Sequence, residues 1–478
     1  MVNVHFEPFL YLAGLTHDDA LIAWGGFYFR DPDSDEDDWT IIEDPELTEY
    51  VDEIEEGRQR GSIGVASKPY GHAVVEVVDL ETGEVAGRAE TDDANHVWVR
   101  GLEPDTEYRY EVTVDGEPWA DGPRRDWMED EGLGRRDLEE TGLVYDTRFR
   151  TFPAPDTPAP CRFAVVGDYG IGILASGGHG DRQRRLAAAL ERAVDHAGVR
   201  FVLTTGDNIY LGEDDTVSGT GNFDDDWYFS FYEPYRYAIS RVPVYPGVGN
   251  HDTGDTEVSD NRDELADNLF TELRFEEEAE EGRFSVDPGL YYQFDFGADL
   301  EFTAIDTTTA ADSDLDVEYY FEHPDHREWL ENAFPPAEEQ DEHPRWRIPF
   351  SHHPPFCAGP KHENAPHLID EIVPLLQRAG VRLMLCGHEH NFQHQHHEGI
   401  DYIVTGAGGK LREGRPDRWD EAHLVSWLDE GHFLIVDVDG DRLTIHPVTD
   451  VDEDGNFTYL EPVREDGTVE DMPIVIER

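Results

Sequence analysis

Between Tyr11 and about Phe149 apolar and polar positions alternate, in the runs DALIAWGGFYF, HAVVEVVDL, HVWVRGL and EYRYEVTV. A period of two puts every second side chain on one face, so these runs predict short strands with one buried side, and helical spacing is absent. Two acidic segments, about Asp31 to Glu56 and Asp121 to Glu140, interrupt the pattern without clear periodicity and are expected to be surface insertions or lids. FPAPDTPAP, Phe152 to Pro160, is rich in proline and reads as a stiff, extended linker at a domain boundary. Beyond it RFAVVG, a helical stretch from about Asp181 to His196 stopped by Gly198, and RFVLTTG make a βαβ unit with parallel strands. Further strands are predicted at VPVYPGVG, YYQFDFGADLEFTAID, WRIPFS, VRLMLC, IDYIVTGAG, HFLIVDVD and RLTIHPV, with helical spacing near 224–240, 325–333 and 365–379. The chain thus divides into an all-β module over 1–151, the linker 152–160, an α/β domain over 161–450 and a tail over 451–478 that runs along the surface.

Charge changes this picture. The 478 residues are enough for two or three cores, but 107 Asp and Glu stand against 37 Lys and Arg, a formal net charge of −70. Lys68, Lys361 and Lys410 are the only lysines. Self-repulsion at this charge opposes compactness, and molar salt, with a Debye length of about 3 Å, removes most of it, so the composition predicts adaptation to a salty medium of the kind a halophile provides. Aromatic and aliphatic runs along the whole length argue against a disordered acidic tail. No basic stripe serves a phosphate backbone or an anionic membrane, and neither partner is expected. Cys161, Cys357 and Cys386 match no zinc spacing and are expected to be reduced core thiols. MVNVHFEPFL has neither the basic stretch nor the apolar run of a secretory leader, which makes a cytoplasmic location the expectation.

The metal-capable residues fall directly after the apolar runs. Asp168 follows RFAVVG in GDYG; Asp207 follows RFVLTTG in GDNIY; Asn250, His251 and Asp252 follow VPVYPGVG in GNHD; His352 and His353 follow RWRIPF in SHHPPF; His388 and His390 follow VRLMLC in GHEH. Five strand ends of an open sheet would converge there, and carboxylate, amide oxygen and imidazole together suit two hard-to-borderline cations.

In their order these blocks resemble the metallophosphoesterase, or calcineurin-like, superfamily over about Arg162 to Pro447, and Tyr210, three residues past Asp207, resembles the purple acid phosphatase branch. The resemblance implies a four-layer αββα sandwich. It places Asp168, Tyr210 and His390 on a first metal, ferric iron, and Asn250, His352 and His388 on a second, divalent iron, zinc or manganese, with Asp207 bridging. His352 is preferred to His353 because the family pattern is His, any residue, Pro; His353 then sits beside the metals. The implied activity is phosphomonoester hydrolysis, two cations about 3.5–4 Å apart clamping the attacking and leaving oxygens and acidifying water to the attacking hydroxide. His251 is expected as general acid, oriented by Asp252 through its other ring nitrogen, and His362 as a substrate-facing histidine. His394, His396 and His397 match no ligand position and are expected at the surface or beside the ligands. His179, on a glycine-rich loop that could act as a flap, is expected to face solvent. GLEPDTEYRYEV, Gly101 to Val112, resembles a strand-turn-strand of a fibronectin type III sandwich with Tyr108 at its tyrosine corner. Phosphodiester or nucleotide cleavage is the alternative enzymatic reading, and a non-catalytic binding protein the alternative of another class.

Overall fold

The computed structural model describes residues 4–30, 40–42, 70–130, 135–140, 142–173, 175, 177–210, 227–252, 291–312, 317–339 and 346–478. Most of the first acidic segment, with its expected role as insertion or lid, lies outside the described residues. The second contains an antiparallel hairpin, Arg125–Asp130 on Arg135–Glu140, whose register sets Arg125 opposite Glu140 and Arg136 opposite Glu129. Its sequence carries no apolar alternation, which is why periodicity did not reveal it.

Two units are distinct: Met1–Phe152 with Asn222–Pro243, and Pro153–Gly221 with Val244–Arg478. In the first, Val4–Leu15 pairs antiparallel with Asp19–Arg30, which also pairs with His96–Arg100. A second sheet runs in the order Arg148–Arg150, Glu107–Val114, Ala73–Asp79, Val85–Thr91. Glu107–Val114 follows the period of two, burying Tyr108, Tyr110, Val112 and Val114. The Tyr108 hydroxyl accepts the Glu103 N–H at 2.9 Å. The helical spacing seen near 224–240 becomes the wide-turned Tyr228–Tyr232 and the α-helix Glu233–Ile239. Tyr232 stacks on Phe9 at 4.3 Å, and the Tyr110 hydroxyl donates to the Ser240 carbonyl at 2.8 Å. Aromatics are buried at Trp227, Tyr228, Phe229, Phe231, Tyr232 and Tyr235, so no single apolar face disclosed the partner.

The second unit is built on two seven-stranded mixed sheets. In one, Val244–Pro246, Val202–Thr204 and Cys161–Val166 lie parallel in that order, and Phe433–Asp439, Arg442–Val451 and Phe457–Tyr459 continue it antiparallel. Ile474–Glu477 also pairs with Arg442–Val451. Residues beyond Val451, expected as a surface tail, therefore add strands to this sheet. In the other sheet Leu300–Ile305, Trp346–Ser351, Leu383–Cys386 and Ile400–Thr405 are parallel neighbours.

Rings from both sheets interlock between them: Phe163 meets Phe302 edge-on at 5.0 Å, Phe201 meets Phe294 at 5.5 Å, and Tyr245 stacks on Phe294 at 4.1 Å. Such pairs add about 0.5–1.5 kcal/mol each beyond the area they bury. Helix His179–Arg192 packs on Arg442–Val451, and a final wide turn ends at Gly198 with φ 75°. On the other sheet Leu330, Leu368, Ile372 and Leu376, from Pro324–Ala333, Pro366–Glu371, Val373–Arg378 and the junction between the last two, cover Ile305, Met384 and Tyr402. Helix, sheet, sheet, helix is the expected order of layers, and its two sheets deliver the site. The three cysteines are free and buried. Among the described residues no helix is long and apolar enough to cross a membrane.

Candidate metal centre

Asp168, Asp207, Asn250 and His388 each follow a glycine, whereas His352 directly follows Ser351 at the end of its strand. Asp168, Asp207 and His388 have φ of 53°, 52° and 72°, a left-handed conformation that costs an L-residue about 1–3 kcal/mol and persists only where the surroundings impose it. The preceding glycines admit the crowding: a Cβ on Gly387 would lie 2.6 Å from Asp168 Oδ2, and one on Gly249 2.2 Å from Asp207 Oδ1. Gly409 and Lys410 donate their N–H groups to the Asp168 carbonyl at 3.0 and 3.1 Å. These side chains are held by backbone before any cation is considered.

Two groups of metal-capable atoms form. In the first, Asp168, Asp207 and His390 converge; His390 Nε2 is 3.3 Å from Asp168 Oδ1 and 3.3 Å from the Tyr210 hydroxyl, which donates to Asp168 Oδ1 at 3.1 Å. In the second, His352, His353 and His388 converge, and Asn250 Oδ1 lies 2.9 Å from His352 Nε2 and 3.1 Å from His388 Nδ1. Asp207 joins the groups, its Oδ1 3.4 Å from His352 Nε2. All seven expected ligands are thus brought together.

The donor set fits cations. His352 Nδ1 is 2.9 Å from the Thr205 carbonyl, which can only accept, so this nitrogen carries the proton and Nε2 presents a lone pair. That lone pair faces the Asn250 oxygen and, at 3.1 Å, His388 Nδ1, a clustering of acceptors that a cation relieves. Burial pushes His352, His353, His388 and His390 below the usual imidazole range, toward the neutral form that binds metal. Burial drives Asp168 up to about 6; burial and the neighbouring Asp168 charge drive Asp207 up to about 7. Burial, then Asp168 and Asp207, raise the Tyr210 phenol. Positive charge placed between these groups reverses each of the carboxyl and phenol shifts.

Residues 161–392 match the family of calcineurin-like phosphoesterases. The chain carries a calcineurin-like phosphoesterase domain. Its homologues are acid phosphatases: tartrate-resistant acid phosphatase type 5 of Homo sapiens is 25% identical over 316 residues, 60% of this chain and 87% of the relative. Purple acid phosphatase 7 of Arabidopsis thaliana is 25% identical over 287 residues, 57% and 77% of the two chains. The fold is shared with the purple acid phosphatase of yellow lupin (Lupinus luteus) seeds, TM-score 0.57 and 14% identity over 96% of this chain and 74% of that one. It is shared also with PhoD, TM-score 0.58 and 11% identity over 98% and 88%. Family and homologues are those of phosphoric ester hydrolases, and the two metal-capable groups suit a dinuclear site.

Around this phosphoesterase centre, His251 and His362 reach the site while Asp252 does another job. His251 donates its N–H to Asp207 Oδ1 at 3.0 Å and its ring lies 4.5 Å from that of Tyr210. Asp252, expected to orient His251, instead accepts from Gly249 N–H at 2.7 Å, Asn208 Nδ2 at 2.9 Å and Ile209 N–H at 3.1 Å, pinning the GNHD turn to the GDNIY turn. Three donors along the turns outcompete one imidazole. The His362 ring stacks on His388 at 3.8 Å. His353 falls within the second metal-capable group, its Nδ1 3.1 Å from Thr307 Oγ1.

Sequence reasoning missed Lys410, whose ammonium sits 4.8 Å from the Tyr210 ring centroid, and the Glu389 and Arg412 pair, bonded at 2.9 Å. Rarity was the available signal for Lys410, one of three lysines in the chain. His394, expected at the surface or beside the ligands, is buried between Asp401 at 2.9 Å and Glu470 at 3.2 Å; two carboxylates repay the imidazolium's desolvation. His396 is half exposed and bonds Asp401 at 2.8 Å, and His397 stacks on His423 at 4.0 Å. His179, expected to face solvent, begins a helix, part-buried, with Nδ1 3.0 Å from Arg182 Nη1. Residues 174 and 176 of the proposed flap lie outside the described residues.

Proposed function

We propose that this protein is a purple acid phosphatase-like phosphomonoesterase, with a phosphoester as substrate and inorganic phosphate as product. The observation that carries the reading is the meeting of Asp168, Asp207, Tyr210, Asn250, His352, His388 and His390 in two adjoining groups joined by Asp207 Oδ1. Asp168, Tyr210 and His390, a phenol with a carboxylate and an imidazole, suit ferric iron; Asn250, His352 and His388 suit Fe2+, Zn2+ or Mn2+; Asp207 serves both. Such a pair of ions supplies Lewis acidity toward the phosphoryl oxygens and a nucleophile at ambient pH.

The protein's own residues do the rest. His251, tethered through its backbone to Asp207 and packed on Tyr210, is placed to give a proton to the departing ester oxygen. His362, against His388, is placed to contact the phosphoryl group. Asp252 keeps two ligand-bearing turns in register, and does so without touching the reaction.

Metal analysis and visible absorption of the purified protein, with turnover of an aryl phosphate monoester compared with the matching diester, test the proposal. Two metals per chain, a purple charge-transfer band and preference for the monoester are expected. A colourless protein that is fully active overturns the ferric assignment, and preference for the diester overturns the monoesterase.

A further inference from the structure

Glu389 stands between the two histidines of the GHEH turn, where a spacer is all that ligation requires, yet its carboxylate is fully buried. Oε2 accepts the His362 backbone N–H at 2.9 Å and lies 3.0 Å from Nδ1 of the same residue. Oε1 accepts from Arg412 Nη1 at 2.9 Å, and Arg412 N–H donates to the His390 carbonyl at 2.9 Å. One carboxylate therefore accepts the loop residue's backbone N–H and faces its ring on one side, and is neutralised by Arg412 on the other. The imidazole held in this way lies over His388, centroids 3.8 Å apart and planes 21° from parallel. A carboxylate only accepts, so one this close to Nδ1 favours the proton there and leaves Nε2 as the nitrogen for another partner. Burying a carboxylate costs several kcal/mol unless its partners are well placed, so a bare spacer role gives no reason for it.

We propose that Glu389 is a positioning residue for phosphoester recognition: it fixes the His362 loop and ring so that Nε2 meets the phosphoryl group of the bound substrate. This rests on the reading of the site as a phosphoesterase centre in which His362 faces the substrate. Glu389 touches no reacting atom and acts through His362.

The test compares Glu389→Ala, His362→Ala and the double variant, all metal-loaded, by metal content, by calorimetric binding of inorganic phosphate, and by kcat and KM for an aryl phosphate monoester. Each single variant is expected to keep both metals and to bind phosphate about tenfold more weakly, as losses of groups that orient a site residue generally do. The double variant should be no weaker than His362→Ala alone, and KM should move more than kcat in Glu389→Ala. Should that variant not fold, Glu389→Gln, which keeps the bulk, carries the same comparison. Additive losses, metal loss from Glu389→Ala, or phosphate binding that is unchanged overturn the proposal. Tighter phosphate binding does so too, since it means that Arg412 was being withheld from the anion. Phosphate binding needs no turnover, so a protein that shows the expected coupling and hydrolyses no monoester refutes the proposed activity and leaves the role of Glu389 standing.

Discussion

Asp207 is the residue on which both metal-capable groups depend, because its Oδ1 reaches the second while its carboxylate belongs to the first. Asp207→Ala is expected to release both metals and reduce turnover to background, read by metal analysis of the dialysed protein; a variant that keeps one metal in full would separate the two groups. Tyr210→Phe removes one phenol and leaves the carboxylates and imidazoles, so hydrolysis should persist within about an order of magnitude while the visible band disappears. At this scale the sequence was legible wherever a glycine preceded a metal-capable residue, since Asp168, Asp207, Asn250 and His388 need the close approach a glycine allows. It was not legible for Glu389, which occupies a position that looks like a spacer, nor for Asp252, which accepts from two backbone N–H groups and the Asn208 amide of the GNHD and GDNIY turns, contacts that carry no sequence signature.

The strand Phe392–His397 leaves the metal turn and carries His394 into a buried ionic knot. Its ring bridges Asp401 and Glu470, His396 shares Asp401, and Ser426 and Arg464 hold Glu470 at 2.5 and 3.2 Å. Burial alone would lower the His394 pKa, but the hydrogen bonds of Asp401 and Glu470 prevail and raise it to about 9. A group whose folded pKa lies above its unfolded value stabilises fully below the unfolded value and loses that contribution as pH rises through the folded one. Asp401 and Glu470 are both lowered, burial opposing and the His394 hydrogen bonds prevailing, so their contributions vanish as pH falls through the carboxylate range. Stability from the knot should therefore be greatest between about pH 5 and 7 and decline toward pH 9. His394→Gln is expected to cost roughly 2–3 kcal/mol at pH 6 and much less at pH 10, measured by denaturant unfolding at both values. An equal loss at both would mean that packing, not charge, is what His394 provides. The apolar pattern did not predict this strand, since FQHQHH carries no apolar alternation, and it gave no sign that the third residue faces two carboxylates brought from Ile400–Thr405 and from the C-terminal segment.

For the whole molecule the parallel strands of the second unit could be located from apolar runs, because parallel buried strands announce themselves as continuous apolar stretches, whereas the layer arrangement followed only from the family resemblance. The assignment of residues 222–243 to the first unit could not, since it depends on aromatic partners distant in sequence such as Phe9 and Phe27. Charge acts at this scale as well. If each of the 37 Lys and Arg neutralised one of the 107 carboxylates, 70 would remain, and local pairs such as Arg162 with Asp437 at 2.5 Å do nothing for that surplus. At about 0.1 M salt the Debye length is about 10 Å and neighbouring surface carboxylates repel; at about 1 M it is about 3 Å and most of that repulsion is gone. Compaction concentrates the surplus, so the penalty falls on the folded state more than on the expanded one. Transfer of the metal-loaded protein from molar to about 0.1 M KCl should then lower the melting temperature by about 10 °C or more, roughly 3–5 kcal/mol for a domain of this size. Sucrose strengthens burial by exclusion from the surface but screens nothing, so it should fail to restore the lost stability at low salt. If sucrose matches KCl, or if melting is the same at both salt concentrations, the carboxylate surplus is not what sets the salt requirement.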